Sequence, residues 1–165
     1  MQFYRALLNS PMATRQEFSV AFATYHSQNA AKYPHLLKLM AVSRSQLEEA
    51  ERPIGVQLPV EFKDFLLEYG YGELYFAGIF CPLVAKPDRV LFTMWDYFNW
   101  EQFGGNYLPI WSNGDELWTG FRVHNNRCSN QLFNFDVDAR DYTGDSFDSI
   151  WDFLLQVALV DLPPR

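Results

Sequence analysis

A Leu-Pro pair, followed by an amphipathic helical pattern and a glycine stop, constrains the fold of this chain more than any other feature. Residues 58–72 read LPVEFKDFLLEYGYG. Proline is tolerated in the first turn of a helix, because the N–H that it lacks has no helical partner there. Gly70 and Gly72 predict a left-handed stop that ends the helix and turns the chain. The residues at i, i+3, i+4 and i+7, which form one helical face, are Phe62, Phe65, Leu66 and Tyr69.

Helical patterns also occur before and after this segment. Ser45-Gln-Leu-Glu48 has the form of a capping box, so we expect a short helix from there to about Gly55. Near the end of the chain, Ser146 is typical of an N-cap that starts a closing helix. The apolar stripe of that closing helix consists of Phe147, Ile150, Trp151, Leu154 and Leu155.

Residues 1–42 predict a helical N-terminal extension. Apolar residues from Phe18 to Tyr25 are spaced as on one helical face, and a second apolar cluster follows Pro34, where a helix should break or start. The sequence leaves open whether the extension packs on the rest of the chain or presents a surface of its own. We therefore predict two parts, the N-terminal extension of residues 1–42 and a main domain of residues 43–165.

Between the helical patterns, the residue composition and the alternation of apolar and polar positions are typical of strands. The turn Ser112-Asn-Gly-Asp115 contains Asn-Gly, which is a strong hairpin signal. Residues 88–103 are aromatic and predict a further helix. Helices, a run of strands and a final helix indicate an α+β fold, with a mostly antiparallel sheet and helices packed on one side. The predicted strands are residues 74–80, 107–111, 116–123 and 131–137.

The charge of the chain disfavours nucleic acid and anionic membranes as direct partners. The net charge is −7, whereas binding to phosphate surfaces needs positive charge. A basic protein is the favoured partner. No apolar run approaches the length of a membrane-spanning helix, and the N-terminus lacks the pattern of a secretory signal, so we expect a cytoplasmic location.

Residues with catalytic potential are scattered along the chain. His26, His35 and His124 have no metal-binding spacing, and no nucleophile elbow or phosphate-binding glycine loop is present. A pair of His124 and Cys128 lacks a third, orienting group. The acidic run that begins at Asp136 lacks the glycine and glutamate positions of a calcium loop. We expect no enzymatic activity, no metal and no cofactor.

Aromatic residues beside carboxylates are the candidate partner-binding residues. Rings supply contact area, and carboxylates accelerate association with a basic surface. If Phe133 and Phe135 point inward, strand alternation places Asn134, Asp136 and Asp138 on the opposite face, toward solvent. The alternative, that the rings are core and the acids merely solvated, stays open. The candidates are Trp95, Tyr97, Trp100, Asp115, Glu116, Trp118, Asp136, Asp138, Asp141 and Asp145.

Four motifs follow one another along the chain. They are Leu47-Glu-Glu-Ala-Glu51 with Ile54-Gly55, Leu58-Pro-Val-Glu-Phe-Lys-Asp-Phe-Leu66, Tyr69-Gly70 running into Gly72, and Tyr107-Leu-Pro-Ile110 followed by Asn-Gly-Asp115. In this order they resemble the SUKH superfamily, the Smi/Knr-type domains common among bacterial immunity proteins. The closing helix is also similar to the last helix of that family, and the resemblance spans residues 43–159.

The resemblance implies a non-enzymatic domain that binds and neutralises a cognate toxin domain. Many such proteins are encoded beside a polymorphic toxin that is delivered by contact or secretion, and these toxins are often basic and attack nucleic acid. Eukaryotic relatives are linked to cell-wall signalling, so a regulatory adaptor in cell-wall or envelope processes is the alternative. The toxin, the docking face and the choice between monomer and homodimer stay undetermined.

Overall fold

The fold combines antiparallel sheets with helices. A computed structural model describes residues 12–75, 77–79, 107–112 and 117–159. In chain order its elements are α1 (Arg15–Asn29), β1 (Leu37–Met40), α2 (Arg44–Ile54), α3 (Val60–Glu68), β2 (Tyr71–Leu74), β3 (Ala77–Ile79), β4 (Tyr107–Ser112), β5 (Leu117–His124), β6 (Arg127–Asp136), β7 (Asp141–Phe147) and α4 (Ile150–Val157).

The strands form two sheets. A three-stranded sheet has the order β1-β2-β3, a four-stranded sheet has the order β4-β5-β6-β7, and every pair is antiparallel. The loop before α3 is tied to the β5–β6 hairpin through Gln57. Its backbone N–H donates to the Asn126 carbonyl oxygen at 2.8 Å, and its carbonyl oxygen accepts from the Cys128 N–H at 3.0 Å.

One face of the four-stranded sheet packs against the helices in the main hydrophobic core. Phe62, Phe65 and Leu66 of α3 are 0% exposed, as the Leu-Pro pattern predicts. Trp151 of α4 is buried in the same core. The α+β class, with antiparallel sheets and helices on one side, is therefore confirmed. The sheet residues in this core are Leu108, Ile110, Phe121, Val123, Leu132 and Phe147.

Helix α1 packs on α3 and α4 through Phe18. This side chain is 0% exposed, and its ring centroid lies 5.3 Å from that of Tyr69, 6.3 Å from that of Phe65 and 5.6 Å from that of Trp151. The helix begins with a capping box, in which the N-cap Thr14 side chain and Glu17 each bond to the other's backbone N–H. Residues before position 43 thus contribute to the same core as the residues after it.

The capping box of α2 lies two residues earlier than predicted. Ser43, not Ser45, is the N-cap: its side chain accepts from the Gln46 N–H at 3.3 Å, and its own N–H donates to Gln46 Oε1 at 2.9 Å. A glutamine amide oxygen serves here as well as a glutamate carboxylate. The predicted end of the helix is confirmed, because Gly55 adopts the left-handed conformation with φ of 64°.

Two predictions around β1 and β2 are wrong. The apolar cluster after Pro34 forms strand β1, in which leucines alternate with Lys38 at the two-residue period of a sheet. The segment 74–80, which was predicted as one strand, instead contains the end of β2, a turn and strand β3. Tyr75 lies in that turn with φ of 51°. Gly72 has φ of 121°, and a Cβ there would collide with the Lys38 carbonyl oxygen. Glycine therefore permits the close approach of β2 to β1.

The start of the closing helix also differs from the prediction. Ser149 is the N-cap of α4, and its hydroxyl accepts from the Asp152 N–H at 3.1 Å. Ser146 instead lies in β7, an edge strand of polar composition that has little strand propensity. The helical part of the apolar stripe is confirmed, since Ile150, Trp151 and Leu154 are buried and Leu155 packs against the same core, whereas Phe147 is buried at the end of β7. The helix predicted at residues 88–103 lies outside the described residues.

Candidate partner-binding surface

The four-stranded sheet carries a second apolar cluster on the face opposite the main core. Alternation along β6 directs Leu132 to the main core and Phe133 and Phe135 to the other face. Tyr107 and Phe135 are buried at 2% and 4% exposure, and the rest of the cluster is half-buried. We call this set the outer aromatic cluster; it consists of Tyr107, Trp118, Phe133, Phe135, Val137 and Tyr142.

Tyr107 is the centre of the outer aromatic cluster. Its hydroxyl lies 3.0 Å from the Trp118 carbonyl oxygen and 2.8 Å from the Phe133 carbonyl oxygen, both of which accept. Its ring centroid is 5.6 Å from that of Phe135 and 5.9 Å from that of Tyr142. Burial raises the pKa of the Tyr107 phenol well above its ordinary value. The side chain is therefore a neutral donor that fixes the rings around it.

Four carboxylates lie along the β6–β7 hairpin, and we call Asp136, Asp138, Asp141 and Asp145 the acidic hairpin. Asp136 pairs across the strands with Asp141, while Asp138 lies in the turn between them. Asp136 is half-buried and the other three are exposed. The structure thus brings the four predicted aspartates onto one hairpin.

Asp136 and Asp141 also stabilise the backbone of the acidic hairpin. Asp136 Oδ1 accepts from the Ala139 N–H at 2.8 Å, and Asp141 Oδ1 accepts from the Tyr142 N–H at 2.7 Å. Such local bonds are typical of aspartate at turns. Within the described residues, the side chains of Asp138 and Asp145 make no hydrogen bond. Substitution of these two aspartates therefore changes the charge of the hairpin with the least effect on the fold.

The acidic hairpin adjoins the outer aromatic cluster in the strand register. One row across the sheet runs Leu117, Asp136 and Asp141, and the next row runs Trp118, Phe135 and Tyr142. Neighbouring rows are separated by about 3.3 Å along the strands, and their side chains alternate between the two faces of the sheet. Asp136 and Asp141 therefore lie on the face opposite the rings, and the acidic hairpin borders the outer aromatic cluster at the end of the sheet.

The predicted exposure of Asn134 is wrong. Asn134 is 8% exposed, and its Oδ1 accepts from the Thr119 hydroxyl at 2.6 Å. It lies on the face of β6 opposite Phe133 and Phe135, as predicted, but Leu132 directs that face to the main core and leaves the rings on the outer face. A bulge in β7 then places residues 143–145 opposite Asn134.

Of the remaining candidates, the structure describes only Trp118. Trp118 is half-buried in the outer aromatic cluster, where it pairs with Ser112 and Phe135. Both sequence interpretations of this residue thus apply in part, since it packs against neighbours and retains some exposed surface. The candidates Trp95, Tyr97, Trp100, Asp115 and Glu116 lie outside the described residues.

Arg122 is a surface residue that sequence reasoning did not single out. It lies on β5, and its guanidinium carbon is 3.9 Å from the ring centroid of Phe133 and 4.1 Å from that of Tyr142. These are close cation–π contacts. The signal in the sequence was its even spacing from Trp118, which puts both residues on one face of a strand.

His124 and Cys128 do not form a reactive pair. Burial, with a smaller effect of Glu51, raises the pKa of the Cys128 thiol to about 12, whereas a nucleophilic cysteine needs a lowered pKa. Cys128 packs toward the main core opposite Val123, while His124 is exposed on the alternate face of the hairpin. Within residues 12–75, 77–79, 107–112 and 117–159, no three His, Cys, Asp or Glu side chains cluster as metal ligands do.

A groove between α2 and α3 encloses about 250 Å³. Its base is apolar, and Lys63 Nζ pairs with Glu51 Oε1 across it at 3.0 Å. The same Glu51 oxygen accepts from the Leu58 N–H at 2.8 Å, which ties α2 to the start of α3. This volume is below the range usual for small-molecule sites, and the ion pair of Lys63 and Glu51 joins the two helices.

None of the helices in the described part of the chain is long and apolar enough to cross a membrane.

Comparisons with known proteins agree with this geometry at the level of fold. A family model described as SMI1-KNR4 cell-wall, SUKH_6, matches residues 44–154, which include all four motifs noted in the sequence. The crystal structure of a protein from Pseudomonas syringae pv. tomato is similar, with a TM-score of 0.52 and 22% identity over 86% of this chain and 98% of that chain. No curated protein matches the chain.

Proposed function

The chain belongs to the SUKH_6 family of SMI1-KNR4 cell-wall domains, and from that premise we propose that it is an immunity protein that binds and neutralises a cognate toxin domain. Family membership supports an immunity or SMI1/KNR4-like role in general. The finer proposal is that the toxin is a polymorphic, contact- or secretion-delivered enzyme that attacks nucleic acid. The immunity protein would act in the cytoplasm.

The observation that carries this proposal is the position of the acidic hairpin, which borders the outer aromatic cluster at one end of the four-stranded sheet. Half-buried rings such as Trp118 and Tyr142 are rigid, amphipathic contact residues of the kind that dominate protein interfaces. The adjoining aspartates would attract the basic groove of a nucleic-acid enzyme, and a net charge of −7 adds to that attraction at long range.

The proposed mechanism is occlusion without turnover. A nucleic-acid enzyme holds its substrate by the phosphates, with Lys and Arg side chains along the groove. The carboxylates of the acidic hairpin would take the place of those phosphates, and the rings would exclude water from the contact. No cofactor, metal or direct contact with nucleic acid or membrane is needed. Inhibition therefore depends only on affinity and on which part of the groove is covered.

A second candidate is a non-catalytic adaptor in cell-wall or envelope processes. The description of the matching family as cell-wall domains favours it. Such an adaptor would use the same kind of surface for a different protein. The two functions differ in their consequence, because an adaptor binds its partner without abolishing an enzymatic activity. A toxin gene adjacent to the gene for this chain favours immunity.

Co-expression tests the immunity proposal in cells. We expect the chain to restore growth of bacteria that express the toxin domain encoded beside it, whereas an unrelated family member should give no protection. Plating efficiency with and without induction measures the effect. Failure of the wild-type chain to protect, when both proteins accumulate, would contradict the immunity function and leave the adaptor as the better explanation.

A further inference from the structure

Arg122 is held in place on the proposed binding surface without a carboxylate partner among the described residues. Its guanidinium contacts the rings of Phe133 and Tyr142 at 3.9 and 4.1 Å from their centroids, and its side chain is exposed. The salt bridges found within the described ranges belong to Arg15 and Lys63.

Ring contacts engage the positive charge of arginine but not its N–H donors. A guanidinium has five such donors, arranged in a planar fork that matches a carboxylate. Because Phe133 and Tyr142 already restrict the side chain, less conformational entropy is lost when the fork binds a partner group. The Phe133 and Tyr142 rings lie 6.1 Å apart at 74°, so they contact the cation from two directions. Arg122 is therefore prepared for a bidentate contact.

We infer that Arg122 is the anchor of the interface and that it binds a carboxylate in the catalytic groove of the partner enzyme. This inference rests on the proposed function and names the partner chemistry more closely. A groove lined only by Lys and Arg would attract the acidic hairpin but repel Arg122. A groove that is basic at its rim and holds a carboxylate at its centre is complementary to both.

Enzymes that cleave nucleic acid commonly have this distribution of charge. Basic side chains along the groove hold the phosphates, while carboxylates hold a magnesium ion or act as the general base. An arginine bound to such a carboxylate would occupy the position of the metal or of the proton that the carboxylate takes. The inhibitor would then block the reacting centre as well as the substrate groove.

The position of Arg122 relative to the acidic hairpin fits a single interface. The Arg122 backbone lies five residues after Leu117 on β5, about 17 Å of strand from the row that Leu117 shares with Asp136. Its guanidinium reaches back over the ring of Tyr142, the residue that follows Asp141 in β7. A standard interface covers roughly 800 Å² per partner, which corresponds to a patch about 30 Å across. The positive anchor and the acids therefore fall within one interface, and their different positions favour one docking orientation.

Binding to the toxin domain encoded beside this chain tests the inference. Arg122→Met retains a side chain over the two rings but removes the charge and the donors. We expect its dissociation constant to rise by about 30-fold or more, as for a hot-spot residue, and that of Arg122→Lys to rise by about tenfold. Arg44→Met, which removes an exposed arginine at the start of α2, should change binding less than about twofold.

A double-mutant cycle then identifies the partner group. Asp→Asn or Glu→Gln substitutions are made at each catalytic carboxylate of the toxin domain, and each is combined with Arg122→Met. We expect one combination in which the second substitution adds almost nothing to the first. Additive effects for every carboxylate, or unchanged binding by Arg122→Met while the wild type binds, overturn the role of Arg122 and leave the immunity function standing. Absence of binding by the wild type overturns both.

Discussion

Replacement of Phe18 by Ala is expected to lower the free energy of unfolding by about 3–5 kcal/mol. The side chain is 0% exposed, and it joins α1 to α3 and α4 through ring contacts with Phe65, Tyr69 and Trp151. Truncation leaves a cavity between three helices, and those helices cannot close it without shifting other rings. Such a loss is a large share of the 5–15 kcal/mol that stabilise a typical domain.

Urea unfolding followed by tryptophan fluorescence measures the effect of Phe18→Ala. Val20→Ala is the matched control, because it lies on the same helix and is 57% exposed. The control should change the free energy of unfolding by less than about 0.5 kcal/mol. If the two substitutions have equally small effects, then α1 does not belong to the main core in solution. In that case residues 15–29 form a separate element that does not pack on α3 and α4.

Charge reversal on the acidic hairpin is expected to slow association with a basic toxin domain by about 10- to 100-fold at low ionic strength. The variant Asp138→Lys/Asp145→Lys is preferred, since Asp136 and Asp141 also bond to the backbone of their own hairpin. Asp138 and Asp145 are exposed, so the melting temperature should remain nearly unchanged. Stopped-flow association rates at several salt concentrations measure the effect, which should shrink as salt increases.

A control variant separates the acidic hairpin from the net charge of the chain. Glu48→Lys/Glu49→Lys makes the same charge change at two exposed residues of α2, which belong to neither the acidic hairpin nor the outer aromatic cluster. We expect it to slow association much less, because its charges do not face the partner. Equal slowing by both variants would show that only net charge matters, and unchanged rates for the hairpin variant would remove this surface from the interface.

The elements with a strong local signal were predictable from the sequence. The face of α3 follows helical spacing, and Gly55, Gly70 and Gly72 occupy positions with positive φ. Strands β4, β5 and β6 were predicted within a few residues. In each case the local preference and the tertiary packing agree, so reasoning from neighbours in the sequence was sufficient.

The failures occurred where tertiary pairing decided the outcome. The segment after Pro34 has leucines that fit a helix or a strand, and pairing with β2 decides for the strand. Strand β7 has few β-favouring residues and exists because its backbone pairs with β6 across a bulge. The caps at Ser43 and Ser149 were missed because serines two or three residues away carried a similar pattern.

The candidate surface was predictable in composition but not in orientation. The acidic run from Asp136 to Asp145 was visible as charge, and strand alternation separated the rings from Asn134. Which side faced the main core depended on whether Leu132 or Phe133 packed against the helices, and a single strand does not contain that information. Arg122 was missed for a similar reason, because its ring contacts come from two other strands.

Titration of the toxin domain's activity with the purified chain tests the proposed function most directly. If the chain is an immunity protein that occludes the catalytic groove, activity should fall in proportion to the amount of chain added and vanish once toxin and chain are present in stoichiometric amounts. The Asp138→Lys/Asp145→Lys variant should require more protein at low salt. Full activity in the presence of excess wild-type chain, whether or not a complex forms, would contradict neutralisation by occlusion.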